Sequence, residues 1–277
     1  MSSDATPWVM VLGDPVAQAR IVTLFNVVFE SLGMRALAVP REVVRIEPRH
    51  IAACLSLPQV VGVCTTTPVL VDAQTNLGTL STAARQAEAI SAVRRDARAP
   101  GNFYAELFDG IGFVRHLREH GFQPAGRSIL IQGAGAEGAA LGFELARLGA
   151  ARVDYRHWNA GRAKQLASRL TAQCGLHSST HTQAVAAYDL VVFNSAVQGP
   201  GQMSETESFH AGMWVADTCL QSEASPVLQR AAQCGARTFT GIPFLRDQVH
   251  LYLSFFAPAL LGTPECPWGI LTASPTE

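Results

Sequence analysis

The chain has almost no lysine. Among its 277 residues the 21 basic ones are all arginine except Lys164, so chemistry that needs a lysine anywhere else is excluded. Cysteine is scattered: Cys54, Cys64, Cys174, Cys219, Cys234 and Cys266 form no C-x-x-C pair. That spacing argues for small buried hydrophobes and against a zinc site, and no metal is expected. Charge is sparse at 16% and balanced to −1; without a basic run or patch, nucleic acid is not an expected partner. No apolar stretch approaches the ~20 residues that span a bilayer, so no membrane partner is expected. Met1-Ser2-Ser3-Asp4-Ala5 carries no positive segment, and no secretory signal is read. The expectation is a cytoplasmic enzyme-sized protein, monomer or homodimer.

What is present is an alternation of strands and helices. Trp8 to Leu12 is a short apolar run closed by Gly13-Asp14-Pro15, Ile21 to Leu32 has helical spacing, and Arg35 to Pro40 reads as a strand. Glu47 to Leu57 reads as a helix and Val60 to Thr65 as a strand. Such alternation predicts an α/β fold built from βαβ units with a largely parallel sheet. The polar stretch from Arg94 to Asn102 reads as a crossing between domains, and Ile111 to His120 as a helix. A second α/β series follows, with strands at 128–132, 152–155, 189–193, 213–217 and 236–240, helices at 137–148 and 162–174, and a closing helix from Leu245 to Leu261. The boundaries read as residues 1–102, completed by 241–277, for one domain and 103–240 for the other.

Gly133-Ala134-Gly135-Ala136-Glu137-Gly138 is a G-x-G-x-x-G between an apolar strand and an apolar-striped helix. In that setting it predicts a Rossmann-type dinucleotide site: Gly133 for the turn, Gly135 for close approach of a pyrophosphate to the helix N-terminus, Gly138 for helix–strand packing. The competing reading is a structural turn without ligand. Asp154 lies near the distance at which an acid holds the ribose of NAD, but Arg156, His157 and Arg162 follow it. Cations there fit a 2′-phosphate, so NADP is expected with NAD as the alternative; a merely solvated Arg156 is the other reading.

The order of motifs resembles the shikimate dehydrogenase family over nearly the whole chain. Gly13-Asp14-Pro15-Val16-Ala17 resembles its G-x-P-[IV]-x-H-S-x-S-P start, and Leu24-Phe25-Asn26 stands where L-H-N is usual. Gly62 to Pro68 stands at G-x-N-V-T-x-P-x-K, Ala89 to Val93 at A-x-x-I-G-A-V-N-T, and Asp109-Gly110-Ile111-Gly112-Phe113 matches D-G-x-G-F. Arg162-Ala163, Asp189 to Val192 with Asn194, Ala216-Asp217, and Gly241 through Gln248 follow in the family's order.

The resemblance implies an N-terminal α/β substrate-binding domain facing the dinucleotide domain across a cleft, where a hydroxyl and a ketone are exchanged with the help of a lysine–aspartate pair. It implies Asp109 as catalytic residue, with Thr66 and Gln248 as substrate-binding candidates; the residues themselves add Arg94, and Tyr252 one turn on from Gln248. For the cofactor it implies Gly133 to Gly138 with Asn194 and Gly241, to which the strand end adds Arg156 and His157. The family lysine falls at Leu70, its carboxylate-gripping serines at Ala19 and Ile21, and its asparagines at Cys64, Arg94 and Leu107. Swapping polar groups for apolar ones strands a triol acid's oxygens, whereas Arg94 offers a carboxylate a new bidentate partner. A hydroxy or keto acid related to shikimate or quinate is therefore the expected small-molecule substrate. The alternative is a non-catalytic homologue that keeps the nucleotide turn as a sensor or partner subunit. Asp109 reads either as general base or as an N-cap, Gln248 as substrate contact or cross-cleft hydrogen bond, and Tyr252 as proton donor or core.

Overall fold

The computed structural model describes residues 6–14, 16, 20–71, 77–96, 101–180, 182–194, 208–220 and 224–261. The chain divides into two compact units, one made of residues 1–108 with 248–277, the other of 109–247.

The first unit runs β1 (Trp8–Gly13), α1 (Arg20–Ser31), β2 (Leu37–Glu42), α2 (Pro48–Leu55), β3 (Val60–Leu70), β4 (Thr79–Leu80), α3 (Thr82–Ala87), β5 (Ala89–Arg95) and β6 (Phe103–Glu106). Its six strands lie in the order β2-β1-β3-β5-β6-β4. β1 is parallel to β2 and β3, but β5 is antiparallel to both β3 and β6. The sheet is therefore mixed rather than largely parallel. Between β3 and β5 the described elements are the two-residue β4 and the six-residue α3, and no long crossover helix is among them. Residues 94–102 read as a crossing because Arg94 and Arg95 break the apolar run, yet both belong to β5. Residues 103–106, assigned from sequence to the second domain, form a strand of this first sheet. Helix α1 is held by Ile21, Phe25 and Phe29, one per turn on a single face, and Asn26 bonds both the N–H and the carbonyl of Ala38 on β2.

The second unit runs α4 (Asp109–Glu119), β7 (Ser128–Gln132), α5 (Ala136–Arg147), β8 (Arg152–Arg156), α6 (Ala160–Cys174), β9 (Leu190–Phe193), β10 (Trp214–Asp217), α7 (Pro226–Gln233) and β11 (Arg237–Phe239). Its five strands, in the order β11-β10-β9-β7-β8, are all parallel. The apolar runs Ile129-Leu130-Ile131 and Leu190-Val191-Val192 are buried throughout, as a sheet covered by helices on both faces requires. Small residues let those helices come close. A Cβ on Gly110 of α4 would stand 2.2 Å from the Ala140 carbonyl of α5.

Helix α8 (Gly241–Leu261) begins in the second unit and ends in the first. It starts four residues earlier than the apolar periodicity suggests. Among the described residues no helix is long and apolar enough to cross a membrane.

Candidate functional site

In the second unit the turn between β7 and α5 lies at the carboxyl end of β7, an interior strand paired with both β9 and β8. Gly133 has φ of +139°, a region that favours glycine, and its N–H donates to the Arg156 carbonyl at 2.9 Å. A Cβ there would meet Asn194 Cβ at 2.9 Å, and one on Gly138 would meet the Gly133 carbonyl oxygen at 2.1 Å. Both glycines are enclosed by protein. Gly135, the N-cap of α5, differs: a Cβ there would meet nothing within 4 Å. The three glycines of the motif thus divide into two that close the turn and one that faces open space, where the unpaired N–H groups of a helix start are available to an anion.

Asp154 is removed from the list of ribose ligands by its own partners. It is fully buried, accepting from Arg152 Nε at 2.6 Å, the Tyr188 hydroxyl at 2.6 Å and the Ser179 N–H at 2.9 Å. The residues that close β8 are Arg156, whose Nη2 donates to Thr182 Oγ1 at 3.0 Å, and then His157. Both ring nitrogens of His157 are buried without a hydrogen-bond partner among the described residues. Burial, then the charge of Arg162, holds that imidazole below its ordinary range.

On the other side of the turn, Asn194 follows β9 and is almost fully buried; its N–H donates to the Gln132 carbonyl at 3.0 Å. Asp217 ends β10 and accepts the Cys219 N–H at 2.9 Å. Gly241 packs where a Cβ would stand 2.3 Å from the Thr218 carbonyl oxygen. Asp109 is the first residue of α4 rather than the cap before it. Glu137 is partly accessible as a residue, but its carboxyl is packed among protein atoms, and that environment governs its titration. Burial first, then the charge of Asp109, push it up to about 8, with Asp217 adding to the rise and hydrogen bonds from Thr218 and Asn194 opposing it. The fold thus brings Asp109, the glycine turn, Asn194 and Gly241 together. It adds Asp217 and Thr218, which sequence reasoning did not single out as site residues, although Asp217 stood in a recognisable motif. Among the described residues no group of three His, Cys, Asp or Glu could hold a metal ion.

In the first unit Thr66 packs on Gly13, where a Cβ would stand 2.4 Å from its Oγ1. Arg94 lies on β5 with its guanidinium carbon 5.5 Å from the Tyr104 ring and 5.1 Å from the Phe255 ring, within cation–π range. Those two aromatics were missed because they flank Arg94 across strand pairing and from a distant helix, not in sequence. Gln248 is half-buried. Tyr252 is only 2% exposed and meets Phe108 edge-on at 5.0 Å and Phe25 at 6.0 Å, the surroundings of a core residue. Ile21, Cys64 and Leu107 are likewise buried, and burial pushes the Cys64 thiol up so that it stays neutral. Leu70 is the exception, 56% exposed at the end of β3. Ala19 lies outside the described residues.

No protein-family model matches the chain. It is 30% identical over 250 residues to the shikimate dehydrogenase (NADP(+)) of Geobacter sp. (strain M21), covering 86% of this chain and 85% of that protein. Among solved structures it is similar to shikimate 5-dehydrogenase from Listeria monocytogenes, in complex with shikimate and NAD, with a TM-score of 0.79, 18% identity and 98% of each chain covered. It is also similar to the ligand-free 5-ketofructose reductase of Gluconobacter sp. strain CHM43, with a TM-score of 0.75, 19% identity and 94% of each chain covered. The structural likenesses speak for the fold, and the sequence likeness over most of both chains carries the rest: this chain belongs to the shikimate dehydrogenase family.

Proposed function

We propose that the chain is an NADP-dependent oxidoreductase acting on a hydroxy or keto acid related to shikimate or quinate but gripped differently from either. One observation carries the nucleotide half of this reading. The only glycine of the turn with open space beside it is Gly135, at the start of α5, and the same strand ends supply Arg156 and His157. A pyrophosphate fits the first, a 2′-phosphate the second, since phosphates are taken by free helix N–H groups and by guanidinium forks. The cofactor, when bound, supplies the hydride exchange. The chain's own part is to bind, orient and move a proton. Asp109 is the candidate for that proton, at the start of α4 beside Glu137.

The substrate half rests on Arg94. Its guanidinium lies beside the Tyr104 and Phe255 rings, and a planar guanidinium fork suits bidentate capture of a carboxylate. Of the positions where the family's other polar grips fall, Ile21, Cys64 and Leu107 are buried. A polar triol acid would leave several oxygens without partners, at about 1–3 kcal/mol each, so a less hydroxylated acid is the favoured substrate. Leu70, exposed where the family lysine falls, supports the second reading, a homologue that binds nucleotide or ligand without turnover.

Titration calorimetry with NADP and NAD tests the shared ground, and absence of binding at millimolar concentration of either rejects both readings. A panel of hydroxy acids, monitored for cofactor reduction, separates them. Rapid reduction of NADP by shikimate would show that the replaced grips do not decide specificity. For an active substrate, Asp109→Ala is expected to lower turnover by roughly 10²–10⁴-fold.

A further inference from the structure

Glu137 is the second residue of α5, inside the glycine-rich turn. An acid at a helix N-terminus is ordinarily favoured in its ionised form by the backbone dipole. Here the surroundings oppose ionisation. The charged groups that act on Glu137 are Asp109 from α4 and Asp217 from β10, both carboxylates, and no cation among the described residues joins them. Asn194 and Thr218 donate hydrogen bonds to it. Asn194 thereby uses its amide N–H, and its Oδ1 stays buried without a partner among the described residues. A buried acceptor of that kind calls for a donor from a ligand.

A dinucleotide brings two phosphate charges to this same turn. Ionised Glu137 would face them as well as Asp109 and Asp217, in surroundings that screen charge poorly. Neutral Glu137 removes one of those repulsions and still accepts a hydrogen bond at its carbonyl oxygen, weakening the contacts from Asn194 and Thr218 that favour the ionised form. We propose that the nucleotide site admits its dinucleotide only while a proton is held on the Glu137 carboxyl, so that cofactor binding and proton retention are one event. The proposal rests on the NADP reading above. Burial and the charge of Asp109 push Glu137 up to about 8, so the binding-competent form predominates at neutral pH and becomes the minority above about pH 8.

Titration of the full chain with NADP from pH 7 to pH 9.5 tests this. If only the protonated form binds, apparent affinity falls by the competent fraction, roughly 30-fold across that range. NAD, which lacks the titrating 2′-phosphate, is expected to show the same slope. Glu137→Gln keeps the shape and cannot ionise, and its affinity is expected to vary less than about 3-fold over the range. Cys219→Ser, a control two residues beyond Asp217, is expected to retain the slope of the unaltered chain. Should Glu137→Gln fail to fold, calorimetry of the unaltered chain in buffers of different ionisation enthalpy at pH 8.5 reads the same quantity, with an expected uptake of roughly 0.8 proton per dinucleotide bound. A flat profile for the unaltered chain, an undiminished slope in Glu137→Gln, loss of slope in Cys219→Ser, or no proton uptake would each overturn the proposal. No binding at any pH would instead overturn the nucleotide reading beneath it.

Discussion

Asp154 and Arg156 stand two residues apart on β8, and alternation along a strand puts both on one side of the sheet. Asp154 already satisfies three donors, whereas Arg156 closes the strand at the end nearest the glycine turn. Coenzyme preference should therefore rest on Arg156. A charge-assisted hydrogen bond contributes about 1.5–3 kcal/mol, so Arg156→Ala is expected to weaken NADP binding by roughly 10–100-fold and leave NAD nearly unchanged, as read by calorimetric titration. Glu137 bears on stability too. A carboxyl whose folded-state pKa stands above its unfolded value holds its proton more tightly in the fold, so it favours the fold at low pH. That contribution is complete below about 4.5 and is lost as pH rises through about 8. Burial raises Glu106 in the same direction. Melting temperatures between pH 4.5 and 9 are expected to decline less steeply for Glu137→Gln than for the unaltered chain, with Glu106 contributing to the residual decline.

At the scale of elements, the turn from β7 to α5 separates packing from binding within six residues. Gly138→Ala puts a methyl against the Gly133 carbonyl and is expected to lower stability by about 1–3 kcal/mol, the usual range for overpacking. Gly135→Ala meets no protein atom; it is expected to leave the melting temperature unchanged and to weaken dinucleotide binding. A stability loss at Gly135 or none at Gly138 would show that the roles are misassigned. Much of this was legible in the sequence. A buried parallel strand announces itself by a run such as Ser128-Ile129-Leu130-Ile131-Gln132, and the glycine spacing after it belongs to one short stretch of chain. β5 and β6 were not legible, because Arg94, Arg95 and Glu106 interrupt their apolar pattern and are satisfied by tertiary partners: Arg95 donates to the Val60 carbonyl at 3.0 Å, and Glu106 accepts the Leu107 N–H at 2.8 Å. The aromatic flanks of Arg94 and the carboxyl neighbours of Glu137 were hidden for the same reason. They come from elements far apart in sequence, and only strand order brings them together.

For the whole molecule, two units mean that unfolding need not be a single transition. The nucleotide turn, β8 and Asn194 all belong to residues 109–247. NADP at about 100 times its Kd should add roughly 2.7 kcal/mol to the stability of whatever cooperative unit contains its site. Calorimetry is expected to show one component moved and the other left in place, and hydrogen exchange to show new protection confined to that unit. Equal shifts in both would mean that the two melt as one.

Helix α8 reverses the order in which the units can be finished. Its second half supplies Tyr252, Phe255 and Phe256 to a sheet made from the first hundred residues, with Phe256 lying over Gly62 and Phe255 over Arg94. On the ribosome, then, the segment synthesised first is completed last. It must wait with an uncovered apolar face while 109–247 is made and folds, and a pause in translation before residue 248 would lengthen that exposure and the demand for chaperones.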